Sequence, residues 1–334
     1  MSILAKNKSS SILLIKILVL SFSLSLSFAV FAKNVEFQFL PEEHLDDHFM
    51  QIKNINSLGI ANEKVDGLFV SELSGLAWDE GRQLLYAISD SGILYHIKVT
   101  VENNTLRKTK ILKAYRLKDK AGRVFKGKYT DSEGLAVKYN AKGQVTELII
   151  SFERKFRIGR FNLQGKLLSE IKLPKKLRKK KNYQSKNKGL ESVIYHPKYG
   201  YITAAERPLK NAPKGYQTLY SSKGKVWHFK PSVYKNISVT GLEILENGDI
   251  LVLERAYSGL FSPMIIALRQ VKLSSCNKLR QCDTTEIATF NSVDGWRIDN
   301  FEGLAHYKGN QYLMVSDNNN NPLQSTALVM FEIK

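Results

Sequence analysis

Short apolar segments separated by turn residues make up most of the chain. The segments are rich in Ile, Val, Tyr and Phe, and Gly, Asn, Asp and Lys lie between them. This alternation is typical of β-strands joined by tight turns. Beyond residue 32, no segment keeps apolar residues at the spacing of about 3.6 that an amphipathic helix requires. The pattern therefore predicts an all-β protein.

The apolar segments also repeat. Five of them begin with a Gly-Leu pair, and the second apolar segment after each pair ends on an acidic residue. The glycines are 59, 55, 52 and 62 residues apart, a period that indicates an array of similar units. The glycines are Gly75, Gly134, Gly189, Gly241 and Gly303, and the acids are Asp90, Glu153, Glu206, Glu254 and Asp317.

Four β-like segments in each unit predict the blades of a β-propeller. The third unit is the least regular, with strands predicted at 189–195, 201–205, 225–229 and 234–239. The last unit is one strand short, and residues 49–55 are the candidate for an N-terminal strand that closes the ring and removes a sheet edge. We expect five blades. The alternative is a sixth, degenerate blade within residues 33–70 or 97–130.

The first 32 residues are predicted to be an export signal. Lys6, Lys8 and Lys16 precede an apolar stretch at 17–31, which closes on the small-residue cleavage pattern Val30-Phe31-Ala32. The stretch is shorter than the roughly 18 apolar residues of a membrane-spanning helix. We therefore expect a periplasmic or secreted protein, cleaved after Ala32, whose residues 33–334 form a single domain without a remaining transmembrane span.

The formal net charge is +19, and much of the excess lies in the basic segment 174–188. Such a charge favours contact with polyanions, although a solvated basic loop would show the same composition. No interleaved aromatic residues or groove-reading motif indicate specific nucleic-acid binding. Cys276 and Cys282 lie close together, and in an exported protein they predict a disulfide at a hairpin tip.

The acids beside the Gly-Leu pairs are the first candidates for chemistry, since the first strand of each propeller blade lines the central channel. Their phase is uneven, because two precede the glycine by one residue and two follow it by two. Alternate residues of an ideal strand point to opposite faces. Either local bulges re-aim some of these acids or only one pair faces the channel. They are Glu133, Glu302, Glu191 and Glu243.

Three acids at the ends of the second segments are followed by arginine, which binds phosphate bidentately. These arginines either face an anionic substrate or form ion pairs between blades; they are Arg154, Arg207 and Arg255. Carboxylates beside asparagine oxygens suit Ca²⁺. Asp317 precedes four asparagines, and together with Asp90 and Glu243 it is a predicted metal ligand.

Several of these motifs resemble the phytase-like family, whose domain is described as having esterase-like activity of phytase. The matching segments are 71–79, 131–136 and 300–305, with 152–154 and 205–207 also similar, and the resemblance spans residues 70–334. It implies an exported β-propeller in which repeated Glu and Asp form the active site. This chain departs from the pattern at Ser74, where two other units have Glu, so the ring of acids is incomplete.

The leading hypothesis is a monomeric hydrolase that acts on a small anionic phosphoester or related ester. Glu133, Glu191 and Glu302 would be catalytic, and a divalent cation would polarise the substrate. One alternative is a binding or scaffold propeller without catalysis, which would hold an anionic partner on the basic segment. Another is a lactonase-like propeller with calcium, because one fold hosts many functions.

Overall fold

The computed structural model describes residues 36–42, 48–185, 187–259, 262–321 and 326–334. The predicted export signal lies outside these residues. Within them, the helices are three short 3₁₀ turns at Gly127–Tyr129, Lys180–Asn182 and Ser292–Asp294. No helix in this part of the chain is long and apolar enough to cross a membrane.

Five antiparallel sheets form the blades of a β-propeller, which confirms the predicted fold class. Blade 1 consists of β4 (Leu73–Asp79), β5 (Leu84–Ser89), β6 (Ile93–Glu102) and β7 (Thr105–Arg116). Blade 2 consists of β8 (Ser132–Tyr139), β9 (Val145–Phe152), β10 (Arg157–Phe161) and β11 (Leu167–Ile171). The long connection at 97–130 contains the end of β6 and all of β7, and it forms no sixth blade.

Blade 3 consists of β12 (Leu190–His196), β13 (Gly200–Ala205), β14 (Gln217–Ser221) and β15 (Val226–Phe229). Blade 4 consists of β16 (Ile237–Ile244), β17 (Ile250–Ala256), β18 (Ile265–Val271) and β20 (Thr284–Asn291). The prediction for the third unit was wrong in one place, because residues 237–239 begin the inner strand of blade 4 and the missing strand of blade 3 is β14. Long polar connections around β14 obscured its apolar pattern.

Blade 5 combines both ends of the described chain. It consists of β21 (Asn300–Lys308), β22 (Gln311–Asp317), β23 (Thr326–Ile333) and β1 (Ile52–Ile60). Strand β1 pairs antiparallel with β23 from Ile52 opposite Ile333 to Ile60 opposite Thr326. This confirms that an N-terminal strand closes the ring, although it begins three residues later than predicted. A separate hairpin is formed by β2 (Lys64–Val65) and β3 (Leu68–Phe69).

The hydrophobic core lies between the blades. Each of five buried clusters joins the facing sides of two neighbouring sheets, and the series runs around the whole ring. Tyr86 and Phe152, for example, pack in the cluster between blades 1 and 2. Burial of one large apolar side chain contributes about 1.5–3 kcal/mol. The ring is therefore stabilised at every interface, and the channel remains available for polar residues.

The predicted disulfide between Cys276 and Cys282 is present. As predicted, it lies at a hairpin tip, in the loop between the paired strands β18 and β20. Cys282 belongs to β19 (Gln281–Cys282), a short additional strand within this loop. Strand β19 pairs in parallel with β15, so it adds a fifth strand to the sheet of blade 3. The disulfide thus constrains a connection that joins blades 3 and 4.

Candidate functional site

A β-bulge recurs at the same place in the inner strand of every blade. In β4, Leu73 pairs with Ser89 and Gly75 with Ile88, which leaves Ser74 as the extra residue. The pairing registers of the other inner strands shift by one residue at the corresponding point. Bulges re-aim side chains next to functional sites. The residues at this bulge are Ser74, Glu133, Glu191, Thr240 and Glu302.

In blades 1 and 2, the inner strands pack too closely beside the bulge for a residue larger than glycine. A Cβ atom on Gly75 would lie 2.7 Å from the carbonyl oxygen of Glu133, and one on Gly134 would lie 2.6 Å from Cα of Ser192. Ser192 therefore takes the place in blade 3 that glycine takes in the other blades. The assignment of Gly189 as the opening glycine of the third unit was wrong by three residues.

This correction explains the uneven phase of the acids. Glu191 directly precedes Ser192, so it has the same position as Glu133 and Glu302, and all three line one cavity. The uneven phase therefore arose from the misplaced glycine of the third unit, and three of the four acids share one position rather than a single pair. Glu243 lies two residues beyond Gly241 and lines a different pocket, so it does not join Asp90 and Asp317.

The cavity has a volume of about 530 Å³ and lies where the inner strands begin and the second strands end. Because these strands are antiparallel, the two sets of acids meet at the same edge of the ring. Two cationic side chains, Lys188 and Arg255, also line the cavity, and Asn300 and Asn319 supply amides. The carboxylates that line it are Asp90, Glu133, Glu153, Glu191, Glu206, Glu302 and Asp317.

Neither Arg154 nor Arg207 is among the residues that line the cavity. Arg154 is exposed and pairs with Asp131 at 3.2 Å. Arg207 donates to the carbonyl oxygen of Ile237 at 2.7 Å. Of the three predicted anion-binding arginines, only Arg255 reaches the cavity.

The carboxylates form three overlapping groups. In each group, one oxygen atom from every member lies within 4.8 Å of the others. Glu133 belongs to two groups and Glu153 to two, so the groups make a continuous chain across the cavity. Carboxylate oxygens at this spacing are suitable ligands for a hard divalent cation. The groups are Asp90 with Glu133 and Glu302, Asp131 with Glu133 and Glu153, and Glu153 with Glu191 and Glu206.

Some of these acids are held by other side chains. Oε1 of Glu302 accepts from Nη1 of Arg255 at 2.6 Å and from Nδ2 of Asn300 at 3.0 Å. Glu206 accepts from Nζ of Lys188 at 2.8 Å and from Oγ of Ser238 at 2.8 Å. These contacts orient the two ends of the carboxylate chain.

Glu133 and Glu191 differ, because neither forms a hydrogen bond or an ion pair with any described residue. Their side chains are only 7% and 9% exposed. Oδ1 of Asp90 is likewise buried and without a hydrogen-bond partner in the described chain. An unpaired buried carboxylate is strongly unfavourable unless a cation or a proton neutralises it. The centre of the cavity therefore requires either a bound cation or protons on its carboxyl groups.

The pKa values of the acids follow from this crowding. Burial, followed by repulsion from neighbouring carboxylates, raises the pKa of Asp90, Glu133 and Glu191 well above the usual range. Burial and repulsion from Asp131 raise the pKa of Glu153 to about 7. Burial and repulsion from Glu302 raise the pKa of Asp317 to about 7. Without a cation, the cluster retains protons near neutral pH.

Comparison with known proteins gives a family and a structural likeness. The family described as Phytase-like, esterase-like activity of phytase, matches residues 69–320. No curated protein matches the chain. Among solved structures, the chain is similar to the PQQ-bound form of aldose sugar dehydrogenase from Streptomyces coelicolor. The identity is 11% and the TM-score 0.44, over 84% of this chain and 98% of the other.

Proposed function

The chain belongs to the phytase-like family, and we propose that it is a hydrolase of small phosphoesters or related esters that depends on a divalent cation. The observation that carries the proposal is the pair of buried, unpartnered carboxylates, Glu133 and Glu191, at the centre of the carboxylate chain. Seven carboxylates against two cationic side chains leave the cavity negative, so an anionic substrate needs an intervening cation.

The donor set fits Ca²⁺, because it consists of carboxylate and amide oxygens without His or Cys. Glu133 and Asp90, which belong to one carboxylate group, and Glu191, which belongs to another, are the proposed ligands, since their oxygens have no competing partners in the described chain. Asp317 is oriented by Nδ2 of Asn300 at 3.2 Å and supports the same site. When bound, such a cation polarises the phosphoryl or carbonyl oxygen and lowers the pKa of a bound water.

The remaining residues have distinct roles in this proposal. Arg255 reaches the cavity while it holds Glu302, so it orients that carboxylate and faces the substrate anion. Arg255 and Asn300 both donate to Oε1 of Glu302, which leaves Oε2 free to accept a proton from water. Lys188 holds Glu206 in the same way at the opposite side.

An activity screen tests this function. The protein is treated with EDTA and assayed on p-nitrophenyl phosphate, bis-p-nitrophenyl phosphate and p-nitrophenyl acetate, with Ca²⁺, Mg²⁺, Mn²⁺ or Zn²⁺ added back. We expect hydrolysis that requires one of the cations and falls at least a hundredfold in Glu133→Gln and Glu302→Gln. The control is Arg123→Gln, an exposed arginine outside the cavity that pairs with Asp119, and it should retain activity. Full activity in EDTA or in Glu133→Gln would contradict the proposal.

A second candidate function is anion binding on the basic segment 174–188, without catalysis. Two side chains of this segment pack into the core, because Leu177 and Tyr183 are buried. The Tyr183 ring also stacks on Phe156 with ring centroids 3.9 Å apart. The hydroxyl of Tyr183 also donates to the carbonyl oxygen of Leu177. The exposed cations on this fixed support are Lys175, Lys176, Arg178, Lys179, Lys180 and Lys181.

Charge-neutralising changes separate the two functions. Replacing Lys175, Lys176, Lys179 and Lys180 by Gln leaves the anchors in place. It should abolish binding to heparin or to anionic vesicles, while ester hydrolysis stays unchanged. If hydrolysis is never found and this binding is strong and specific, the binding function is the better account.

A further inference from the structure

A second pocket opens where the inner strands end, at the side of the ring opposite the acidic cavity. Its volume is about 410 Å³, within the range of small-molecule sites. All five inner strands contribute to it, and most of the lining is apolar or aromatic. The rings of Trp78, Tyr139 and Tyr195 lie in its wall.

The aromatic rings are held in place by their surroundings. The hydroxyl of Tyr139 donates to the carbonyl oxygen of Trp78 at 3.2 Å. The indole of Trp78 packs against Tyr307 with ring centroids 4.8 Å apart, and Tyr195 packs against Tyr201 at 5.1 Å. The wall is therefore ordered before any ligand binds, which reduces the entropy lost on binding.

One carboxylate is set into this apolar wall. Oε1 of Glu243 accepts from the backbone N–H of Ile244 at 2.8 Å, and Oε2 accepts from that of His306 at 2.9 Å. These neutral donors fix the carboxylate without cancelling its charge. The exposed Glu246 adds a second acid at the rim, and among the described lining residues His306 is the one basic side chain. In a chain of formal charge +19, this pocket is locally negative.

We propose that this pocket binds a small organic cation with an apolar body, such as a quaternary ammonium or a protonated amine. The faces of Trp and Tyr attract such cations, and the Glu243 carboxylate supplies the counter-charge. A neutral apolar ligand would remove water from Glu243 without replacing its solvation, which is unfavourable. A bare metal ion would find few carboxylate ligands here. The combination of fixed rings and one fixed carboxylate thus selects for charge and apolar surface together.

The test compares choline with 3,3-dimethylbutan-1-ol, a neutral molecule of nearly the same shape. Binding to the full chain is measured by isothermal titration calorimetry and by saturation-transfer NMR in EDTA. We expect choline to bind at least roughly tenfold more tightly than the alcohol, because only choline gains the cation–π and carboxylate contacts. Equal binding of the two molecules, or no binding of choline, would overturn the proposal.

Variants locate the site. Tyr139→Leu and Glu243→Gln should each weaken choline binding about tenfold or more. Tyr234→Leu changes a similarly exposed tyrosine outside the pocket and should have no effect. Glu133→Gln should also leave choline binding unchanged, which excludes the acidic cavity as the binding site. Thermal melts check that each variant is folded. Unchanged binding in a folded Tyr139→Leu protein, or its loss in Glu133→Gln, would also overturn the proposal.

Discussion

Replacing Glu133 with Gln should stabilise the cation-free protein, although it removes a buried charged residue. Glu133 belongs to two of the carboxylate groups, and in each group its oxygen lies within 4.8 Å of an oxygen of the other two acids. At an effective dielectric constant of about 20, one such pair of charges repels by about 3 kcal/mol. The carboxyl can avoid this repulsion only by taking up a proton. For a group with a usual pKa of 4.5, that costs about 3 kcal/mol at pH 7.

Whether Glu133 stays ionised or takes up a proton, it therefore costs the folded state a similar free energy, and the neutral Gln side chain avoids this cost. After allowance for relaxation of the cavity, we expect a gain of about 1–3 kcal/mol in the free energy of unfolding. For a chain of this size, this corresponds to a rise of several degrees in Tm. The assay is urea denaturation at pH 7 in EDTA, followed by a thermal melt with and without Ca²⁺. Ca²⁺ should stabilise the wild-type protein much more than the variant.

Asp79→Asn provides the matched control. Asp79 is also buried, but it accepts from Nη1 of Arg82 at 2.9 Å and from the hydroxyl of Tyr86 at 3.2 Å. Loss of its charge should destabilise the protein by about 1–3 kcal/mol. If Glu133→Gln destabilises the cation-free protein as Asp79→Asn does, the crowding argument is refuted.

Three further predictions follow from the site and the fold. The raised pKa values of Glu153 and Asp317 mean that the folded state binds more protons than the unfolded state. This stabilisation is present below the usual carboxyl pKa values and is lost as pH rises through about 7. Cation-free melts should therefore give a higher Tm at pH 5 than at pH 8, and the opposite order would contradict this reasoning. The Gly134→Ala variant should lose about 3 kcal/mol of unfolding free energy, measured by urea denaturation, because its Cβ would meet the backbone at Ser192. A Cβ on Gly81 would lie 3.6 Å from its nearest neighbour, so Gly81→Ala should be nearly neutral, and equal effects of the two changes would contradict the close packing. Removal of residues 1–60 takes away β1 and exposes the edge of β23. Light scattering should then detect association of the truncated protein, and a stable monomer would contradict the role of β1 in closing the ring.

The overall fold could be predicted because each blade carries its own local signals. The Gly-Leu pairs mark the inner strands, and the incomplete last unit indicates that the N-terminal strand closes the ring. Blade 3 could not be read in the same way, because Ser192 replaces the glycine and Gly189 imitates it three residues earlier. Only the pairing of Leu190 with Ala205 and of Ser192 with Ala204 reveals the correct register.

The repeat of local signals also made part of the site predictable. Glu133, Glu191 and Glu302 could be named from the repeat, but their common direction depends on bulges that the sequence does not mark. Asp131 was missed as a member of the cluster, although its place two residues before Glu133 in the matching family segment was a usable signal. Glu243 follows Gly241 by two residues as Glu191 follows Gly189, but Gly241 is the true opening glycine of its strand, so Glu243 lies beyond the bulge and lines the other pocket.

Calorimetric titration of Ca²⁺ into the EDTA-treated protein tests the central claim most directly. Measured in two buffers with different ionisation enthalpies, binding should be saturable and should release protons, because the cation displaces them from carboxyls of raised pKa. A variant with Glu133→Gln and Glu191→Gln should show neither the binding nor the proton release. Absence of binding by the wild-type protein, or unchanged binding by the double variant, would contradict the account.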